Sequence, residues 1–135
     1  MCGYPYRRPP APGPESWRTM ATFLIVDDHP RFRALVSVLL REEGHDVVGQ
    51  VADGRGAVEA ARRLAPDVVL LDVHLPDISG FEAASRIAGQ DGAPTVWLTS
   101  THDGSDYEEM ARRNGARGFV PKHDLSAAAI EQLLG

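Results

Sequence analysis

The chain has 135 residues, of which 43% are apolar and 24% are charged, as in an ordinary globular protein with one domain. Its net charge is −5, and because residues 1–21 hold three arginines and one glutamate, the remainder carries −7, which argues against a general affinity for nucleic acid or anionic membranes. Cys2 is the single cysteine, so an intramolecular disulfide is excluded.

The N-terminal segment is rich in proline. Residues 1–19 hold five of the ten prolines, and proline lacks the N–H that helices and central strands require. We therefore predict a disordered tail over residues 1–21 and a folded domain over residues 22–135. Met20 leaves two interpretations of the tail: a natural start at Met20, or a genuine extension. The absence of a signal-peptide apolar centre and of an apolar run of about 18 residues predicts a cytoplasmic protein.

From residue 22 onward, short apolar strands alternate with amphipathic helices. The predicted strands are FLIV (23–26), HDVVGQVA (45–52), VVLL (68–71), TVWLT (95–99) and RGFVP (117–121). The apolar faces of the helices after them, read at a spacing of about 3.6 residues, are Phe32, Leu35, Val36 and Leu39; Ala57, Val58, Ala61, Leu64 and Ala65; Phe81, Ala84, Ile87 and Ala88; Tyr107, Met110, Ala111 and Asn114; and Leu125, Ala129, Ile130 and Leu133. Asp124 or Ser126 can cap the last helix.

This alternation predicts the fold. Continuous apolar strands separated by helices indicate a parallel sheet that is covered on both faces. With right-handed crossovers, we predict an α/β fold with a doubly wound, five-stranded parallel sheet of order 2-1-3-4-5, the flavodoxin-like (βα)5 arrangement.

Two of the predicted strands end in carboxylates. Asp27 and Asp28 follow FLIV, and Asp72 follows VVLL. In a sheet of this order the first and third strands are neighbours, and the binding crevice lies at their carboxyl ends. Three carboxylates gathered there repel one another unless a cation lies between them, and oxygen ligands completed by water suit Mg²⁺. Such an ion can also orient a phosphoryl donor towards a carboxylate nucleophile.

Lys122 is the only lysine in a chain with thirteen arginines. It follows the fifth predicted strand, so we expect it at the same edge of the sheet as the carboxylates. Lysine is a compact point charge, which the rigid fork of arginine does not reproduce. Its position therefore indicates a specific role rather than a solvated surface charge.

Four segments in chain order resemble the receiver domain of bacterial two-component response regulators. They are FLIVDDHP, VVLLDVHLPDISG, TVWLTS and GFVPKHDL, each at the end of a predicted strand. The resemblance extends over residues 22–134. Because Pro121 precedes the lysine and His123 follows it, the pattern is similar to receivers often joined to helix-turn-helix DNA-binding outputs, although we expect a single-domain protein here.

The resemblance implies a phosphoacceptor and a magnesium site. Asp72 would be the phosphoacceptor and a metal ligand. Asp28 would ligate Mg²⁺ directly, Asp27 would hold the ion partly through water, and the backbone carbonyl of His74 would be a further ligand. An alternative for Asp27 and Asp28, read from the residues alone, is a cap on the first helix. The remaining histidines, which show no metal-ligand spacing, are His29, His45, His102 and His123.

The resemblance also implies a switch. Thr99 would donate its hydroxyl to the phosphoryl group, and Lys122 would pair with Asp72 and then with a phosphoryl oxygen. Phe119 would be the rotating aromatic residue of the switch. New phosphoryl charge that draws in a hydroxyl and an ammonium can bias a two-state surface. Two alternatives stay open: Ser100 rivals Thr99, and core packing alone explains Phe119.

The leading functional hypothesis is a non-enzymatic receiver. It would accept phosphate from a sensor histidine kinase or a histidine phosphotransfer protein and signal to a downstream protein through residues 103–134. Two alternatives are a receiver fragment of a DNA-binding response regulator and an interaction module that is never phosphorylated. An aspartate-based phosphohydrolase is disfavoured, because those enzymes typically place a second acid where this chain has His74. No direct nucleic-acid or membrane partner is expected, and phosphorylation-dependent dimerisation stays open.

Overall fold

The computed structural model describes residues 20–102, 104 and 106–134. The predicted tail therefore lies outside the described residues, apart from Met20 and Ala21, and so does Cys2. Within the described part of the chain, strands and helices alternate from β1 to α5.

The elements agree closely with the predicted ones. In chain order they are β1 (Thr22–Val26), α1 (Pro30–Glu42), β2 (Asp46–Val51), α2 (Gly54–Leu64), β3 (Val68–Asp72), α3 (Gly80–Ala88), β4 (Thr95–Ser100), α4 (Tyr107–Arg113), β5 (Gly118–Pro121), a 3₁₀ turn (Lys122–Asp124) and α5 (Ala127–Leu134). Neighbouring strands are parallel and the sheet order is β2-β1-β3-β4-β5, so the predicted doubly wound α/β fold is confirmed. No helix in the described residues is long and apolar enough to cross a bilayer.

The sheet is covered on both faces, because successive strand residues point to opposite sides. Helices α2, α3 and α4 contribute to the core on one face, and α1 and α5 to the core on the other. The residues of β1 and β3 in the first core are Leu24, Val26, Val69 and Leu71, and those in the second are Phe23, Ile25, Val68 and Leu70. Strands β1 and β3 are thus packed from both sides, which fixes the positions of the residues at their carboxyl ends.

The buried face of α1 differs from the predicted one. Leu35, which we predicted to face inward, is 68% exposed, whereas Leu40 is buried. Val36 and Leu40 lie one helical turn apart and pack on the sheet, while Val38 is exposed. Helix α1 has more apolar residues than one face holds. Its apolar pattern is therefore compatible with more than one rotation of the helix about its own axis.

Five further residues differ from the predicted helix faces. Ala65 ends α2 in the left-handed conformation, with φ +48°, and Ala88 at the end of α3 is exposed. On α4, Met110 is 38% exposed. The buried positions that the pattern missed are Ala60 and Ala83, whose small side chains line the core between α2, α3 and the sheet.

Helix α5 is anchored at both ends. At its start, Ser126 rather than Asp124 is the cap, because Oγ of Ser126 accepts a hydrogen bond from the backbone N–H three residues on, at 3.2 Å. At its end, the carbonyl of Leu133 accepts a hydrogen bond of 3.0 Å from the indole of Trp97 on β4. Gly118, the β5 neighbour of Trp97, leaves room for the large ring, since a Cβ there would lie 2.8 Å from it.

Candidate functional site

The carboxyl ends of β1 and β3 bring four potential ligands together. One ligand atom from each of Asp27, Asp28, His29 and Asp72 lies within 4.8 Å of the others. Asp27 and Asp72 are buried, whereas Asp28 and His29 are exposed. The three aspartates that the sequence places at strand ends therefore share one site, with a solvent-facing side formed by Asp28 and His29.

The charge of this site is only partly compensated. Burial, and next the negative charge of Asp27, raise the pKa of Asp72. The ammonium of Lys122 and the backbone N–H of His74, which donates to Oδ1 of Asp72 at 3.3 Å, oppose this rise. Because the net shift of the pKa is still upward, the surroundings favour the neutral carboxyl, and a divalent cation would restore the balance towards the carboxylate.

Lys122 reaches the site from the turn after β5. Its ammonium nitrogen lies 2.6 Å from Oδ2 of Asp27 and 3.6 Å from Oδ2 of Asp72. The same nitrogen lies 4.3 Å from the centroid of the Phe32 ring on α1. The lysine is thus close to both buried carboxylates, as its place after β5 predicts, but it is nearer to Asp27 than to Asp72. Contact with an aromatic face adds a cation–π attraction.

Two neighbouring hydroxyls on β4 differ in their environment. Thr99 is the register partner of Asp72 in the β3–β4 pair, and its buried Oγ1 has no hydrogen-bond partner among the described residues. Oγ of Ser100 is engaged, because it accepts from the backbone N–H of His102 at 3.0 Å. A buried hydroxyl without a partner is costly, and of these two hydroxyls it is Thr99, beside Asp72, that lacks any partner among the described residues.

Sequence reasoning missed two residues next to the acidic pair. Nδ1 of His29 lies 3.0 Å from Oδ1 of Asp27 and 3.0 Å from Oδ1 of Asp28. Arg33 on α1 donates a hydrogen bond to the backbone carbonyl of Asp27. The available signal was adjacency: His29 follows two strand-end acids directly, and Arg33 lies one helical turn beyond it. A triplet at the end of a strand does not show the spacing that is typical of metal ligands.

The loop between β3 and α3 is held tightly against the site. A Cβ on Gly80 would lie 2.2 Å from the carbonyl oxygen of Asp72, so only glycine fits there. In the same loop the Asp77 carboxylate accepts from the backbone N–H groups of Gly54 at 2.8 Å and Arg55 at 2.9 Å. Burial opposes ionisation of Asp77, but the hydrogen bonds from Arg55 and Gly54 outweigh it and hold its pKa at about 2.

An aromatic cluster links the loop after Asp72 to β5. Its members are His74, Phe81, Tyr107 and Phe119. The Tyr107 ring lies edge-on to Phe119 at 5.2 Å and to Phe81 at 5.6 Å between centroids, and its hydroxyl lies 3.3 Å from Nε2 of His74. Phe119 is half-buried. Tyr107, which the sequence indicated only as a core residue of α4, therefore connects His74 with the aromatic residue proposed for the switch.

The donor set fits a hard divalent cation. Asp27, Asp28 and Asp72 offer carboxylate oxygens, the ligands that Mg²⁺ prefers in proteins. The exposed side at Asp28 leaves access for the water molecules that Mg²⁺ retains. The buried hydroxyl of Thr99 next to Asp72 has no hydrogen-bond partner among the described residues and can donate to an anion bound there.

The chain matches a known family over most of its length. The family model for the response regulator receiver domain matches residues 23–133. The chain is 41% identical over 99 residues to the transcriptional regulatory protein PdtaR of Mycobacterium tuberculosis. The aligned region covers 73% of this chain and 48% of PdtaR. The chain therefore spans about half the length of this curated relative.

Solved structures of similar proteins give the same fold. A LuxR-family two-component response regulator from Aurantimonas sp. SI85-9A1 superposes with a TM-score of 0.76 at 35% identity, over 84% of this chain and 81% of that one. The CheX-CheY-BeF3-Mg+2 complex from Borrelia burgdorferi matches with a TM-score of 0.76 at 26% identity, over 84% of this chain and 86% of that one.

Proposed function

The chain belongs to the response regulator receiver family, a family of signalling modules, and on that premise we propose that Asp72 accepts a phosphoryl group in a Mg²⁺-dependent reaction. The observation that supports this role most directly is the convergence of buried charge at one sheet edge. Nζ of Lys122 lies within 3.6 Å of Asp72 and 2.6 Å of Asp27. A site of this kind can hold a cation and an incoming anion side by side.

Asp72 is the nucleophile in this proposal. One of its carboxylate oxygens forms a bond to phosphorus as the N–P bond of a phosphohistidine donor breaks, and the released imidazole nitrogen takes a proton from solvent. Asp27, Asp28 and Asp72, with the backbone carbonyl of His74, would hold Mg²⁺, which when bound supplies charge that neutralises the phosphoryl oxygens. The ammonium of Lys122 lies close enough to both carboxylates to pair with a phosphoryl oxygen once Asp72 carries the phosphoryl group.

The switch in this proposal starts from Thr99. Its vacant hydroxyl donates a hydrogen bond to a phosphoryl oxygen on Asp72, its neighbour in the sheet. Movement of Thr99 would change the space available to the Phe119 side chain. The Phe119 ring lies edge-on to Tyr107 at the start of α4. The altered packing would change the surface formed by residues 103–134, through which a downstream protein would bind. Coupling of a local charge to a packed aromatic cluster is a known route to a two-state response.

We place the chain as a module that receives and passes on a signal, without an enzymatic activity beyond its own phosphorylation and dephosphorylation. The tail of residues 1–21 and the receiver of residues 22–135 would be its two parts. A histidine kinase or phosphotransfer protein would be the donor, and because such donors draw on cytoplasmic ATP, the receiver would act in the cytoplasm. A second candidate is the receiver part of a longer transcriptional regulator, which the match to half of PdtaR favours.

Amide NMR of the ¹⁵N-labelled chain, with Mg²⁺ and beryllofluoride as a phosphoryl mimic, tests the site and the switch together. The expected result is a set of shifts at Thr99, Phe119 and α4 that Asp72→Asn abolishes. Asp91→Asn, which removes an exposed carboxylate outside the ligand group, should leave the shifts unchanged. Shifts confined to the loops around Asp72 would contradict the switch, and no shift at all would contradict the site.

A further inference from the structure

The imidazole of His29 bridges the two carboxylates at the mouth of the acidic site. Nδ1 lies 3.0 Å from Oδ1 of Asp27 and 3.0 Å from Oδ1 of Asp28. We propose that His29 is a nitrogen ligand of the metal site, so that the site also takes divalent transition metal ions and favours them over Mg²⁺. The inference rests on the proposed function to the extent that both place the ion among the same aspartates.

The distances around Nδ1 fit shared coordination of one ion. Ligand atoms about 2.1 Å from an octahedral ion are separated by roughly 3.0 Å when they occupy adjacent positions. Nδ1 of His29 has this separation from both carboxylate oxygens. The fourth ligand residue, Asp72, completes a group whose ligand atoms all lie within 4.8 Å of one another. An ion in this group would therefore contact the imidazole without a large movement of the backbone.

His29 is held in place from two sides while its ring stays accessible. Its backbone N–H donates to Oδ1 of Asp27 at 2.9 Å, and it is the residue before Pro30, which begins α1. The side chain is 68% exposed, so the ring stands where an ion enters from solvent. Without an ion, Nδ1 is in contact with both carboxylates. Metal ligation replaces that contact at the same atom.

The site also holds a buried hydroxyl, that of Thr99, without a hydrogen-bond partner among the described residues. Oγ1 of Thr99 is fully buried and unpartnered among the described residues, next to Asp72 in the sheet. The side chains of the other histidines in the described part of the chain lie outside this group of four ligand residues. His45, for example, accepts a hydrogen bond from the backbone N–H of Ala21 at 3.1 Å, and both residues directly precede a strand, at the amino ends of β2 and β1.

The chemistry of the donors sets the expected selectivity. Carboxylate oxygens suit Mg²⁺ and Mn²⁺, whereas imidazole suits later transition metals, and affinities for mixed nitrogen and oxygen sites rise from Mn²⁺ through Co²⁺ to Ni²⁺. A site made of three aspartates alone would distinguish only weakly between Co²⁺ and Mg²⁺. Addition of His29 makes the ratio of Co²⁺ to Mg²⁺ affinity depend on one side chain.

Metal titrations of untagged protein test the inference, with Co²⁺ and Mg²⁺ as the probe ions and isothermal calorimetry as the readout. We compare the wild type, His29→Gln and His123→Gln; His123 is 63% exposed and lies outside the ligand group. His29→Gln should lower the Co²⁺ affinity by about tenfold or more, while the Mg²⁺ affinity changes much less. His123→Gln should change neither affinity. Pulsed EPR of bound Mn²⁺ should show coupling to a ¹⁴N nucleus in the wild type and not in His29→Gln.

The outcomes separate this inference from the proposed magnesium site. If His29→Gln folds normally and the ratio of Co²⁺ to Mg²⁺ affinity stays that of the wild type, His29 is only a bridge between carboxylates and the inference is wrong. Nitrogen coupling that persists in His29→Gln has the same meaning. If the folded wild type binds neither ion, both the inference and the proposed magnesium site are wrong.

Discussion

The ammonium nitrogen of Lys122 lies 2.6 Å from Oδ2 of Asp27, a carboxylate that is fully buried. Its distance to Asp72 is 3.6 Å. A buried carboxylate without a positive partner is strongly unfavourable, so the lysine stabilises the site when no cation is bound. A cation among the aspartates would take over this role and leave Lys122 free to face Asp72. The lysine and the metal ion therefore compete for the same carboxylate.

Replacement of Lys122 should therefore strengthen metal binding. Lys122→Met keeps an apolar stem against Phe32 and removes the charge that lies beside Asp27. Removal of a nearby positive charge from a largely desolvated site is worth on the order of 1–2 kcal/mol to an incoming cation, so we expect about tenfold tighter Mg²⁺ binding by calorimetry. Lys122→Arg, which keeps the charge, is the control and should stay near the wild type. Equal or weaker Mg²⁺ binding by Lys122→Met would contradict the competition.

The acidic site should lower the stability of the metal-free protein. The pKa of Asp72 is raised in the folded state by burial and by Asp27, so its ionised form at neutral pH disfavours folding, and stability falls as pH rises through the shifted pKa. Asp72→Asn should raise the free energy of unfolding in urea by about 0.5–2 kcal/mol without Mg²⁺. Mg²⁺ should stabilise the wild type more than the variant. The exposed Asp91→Asn control should change little; a destabilised Asp72→Asn protein would contradict this account.

The close approach of Gly80 to Asp72 predicts a site-specific loss of stability and function. A Cβ at residue 80 would lie 2.2 Å from the Asp72 carbonyl oxygen, and backbone cannot yield as a side chain tip can. We expect Gly80→Ala to cost about 3 kcal/mol of unfolding free energy and to impair phosphorylation of Asp72. Gly89→Ala is the matched control at the other end of α3, since its Cβ would have only ordinary contacts at 3.6 Å. Similar unfolding midpoints for the two variants would contradict the prediction.

His45 should give the stability a pH dependence that is unrelated to the metal site. Burial lowers the pKa of His45 despite the nearby charges of Glu43 and Glu131, and its Nδ1 accepts a hydrogen bond from Ala21. The unfolded imidazole takes up a proton near pH 6.5, before the folded one does. Stability should therefore decline as pH falls below about 6.5 and level off below the folded-state pKa.

The check on His45 is a series of urea unfolding curves between pH 5 and pH 8. His45→Asn offers an oxygen that can still accept from the backbone N–H of Ala21 but does not titrate. We expect its stability to change less with pH over this interval than that of the wild type. Parallel pH profiles for the two proteins would show that His45 is not the group responsible.

The sequence was sufficient for the fold because its strongest signals are local. The apolar runs that end at Val26 and Leu71 are short, continuous and bounded by turn residues, and the sheet order followed from the alternation of strands and helices. The exposed Leu35 shows the limit of this reasoning. An apolar residue on a helix rich in apolar residues does not reveal which rotation the tertiary contacts select.

The site was less completely predictable, because part of it depends on contacts between distant segments. The aspartates and Lys122 were placed by strand ends alone. Contact of Lys122 with the Phe32 ring joins residues 90 positions apart in the chain, and the contact between Tyr107 and His74 crosses from α4 to the β3–α3 loop. Neither contact has a periodicity or spacing signature. His29 had a signal in its adjacency to two acids, but a residue directly after two acids does not show the spacing that is typical of metal ligands.

The central claim is that Asp72 accepts a phosphoryl group with the help of a divalent cation. Intact mass spectrometry after incubation with acetyl phosphate and Mg²⁺, on the wild type and Asp72→Asn, tests it most directly. We predict a gain of one phosphoryl group in the wild type that requires Mg²⁺ and is absent in Asp72→Asn. A folded, Mg²⁺-binding wild type that gains no phosphoryl group, or an Asp72→Asn protein that gains one, would contradict the claim.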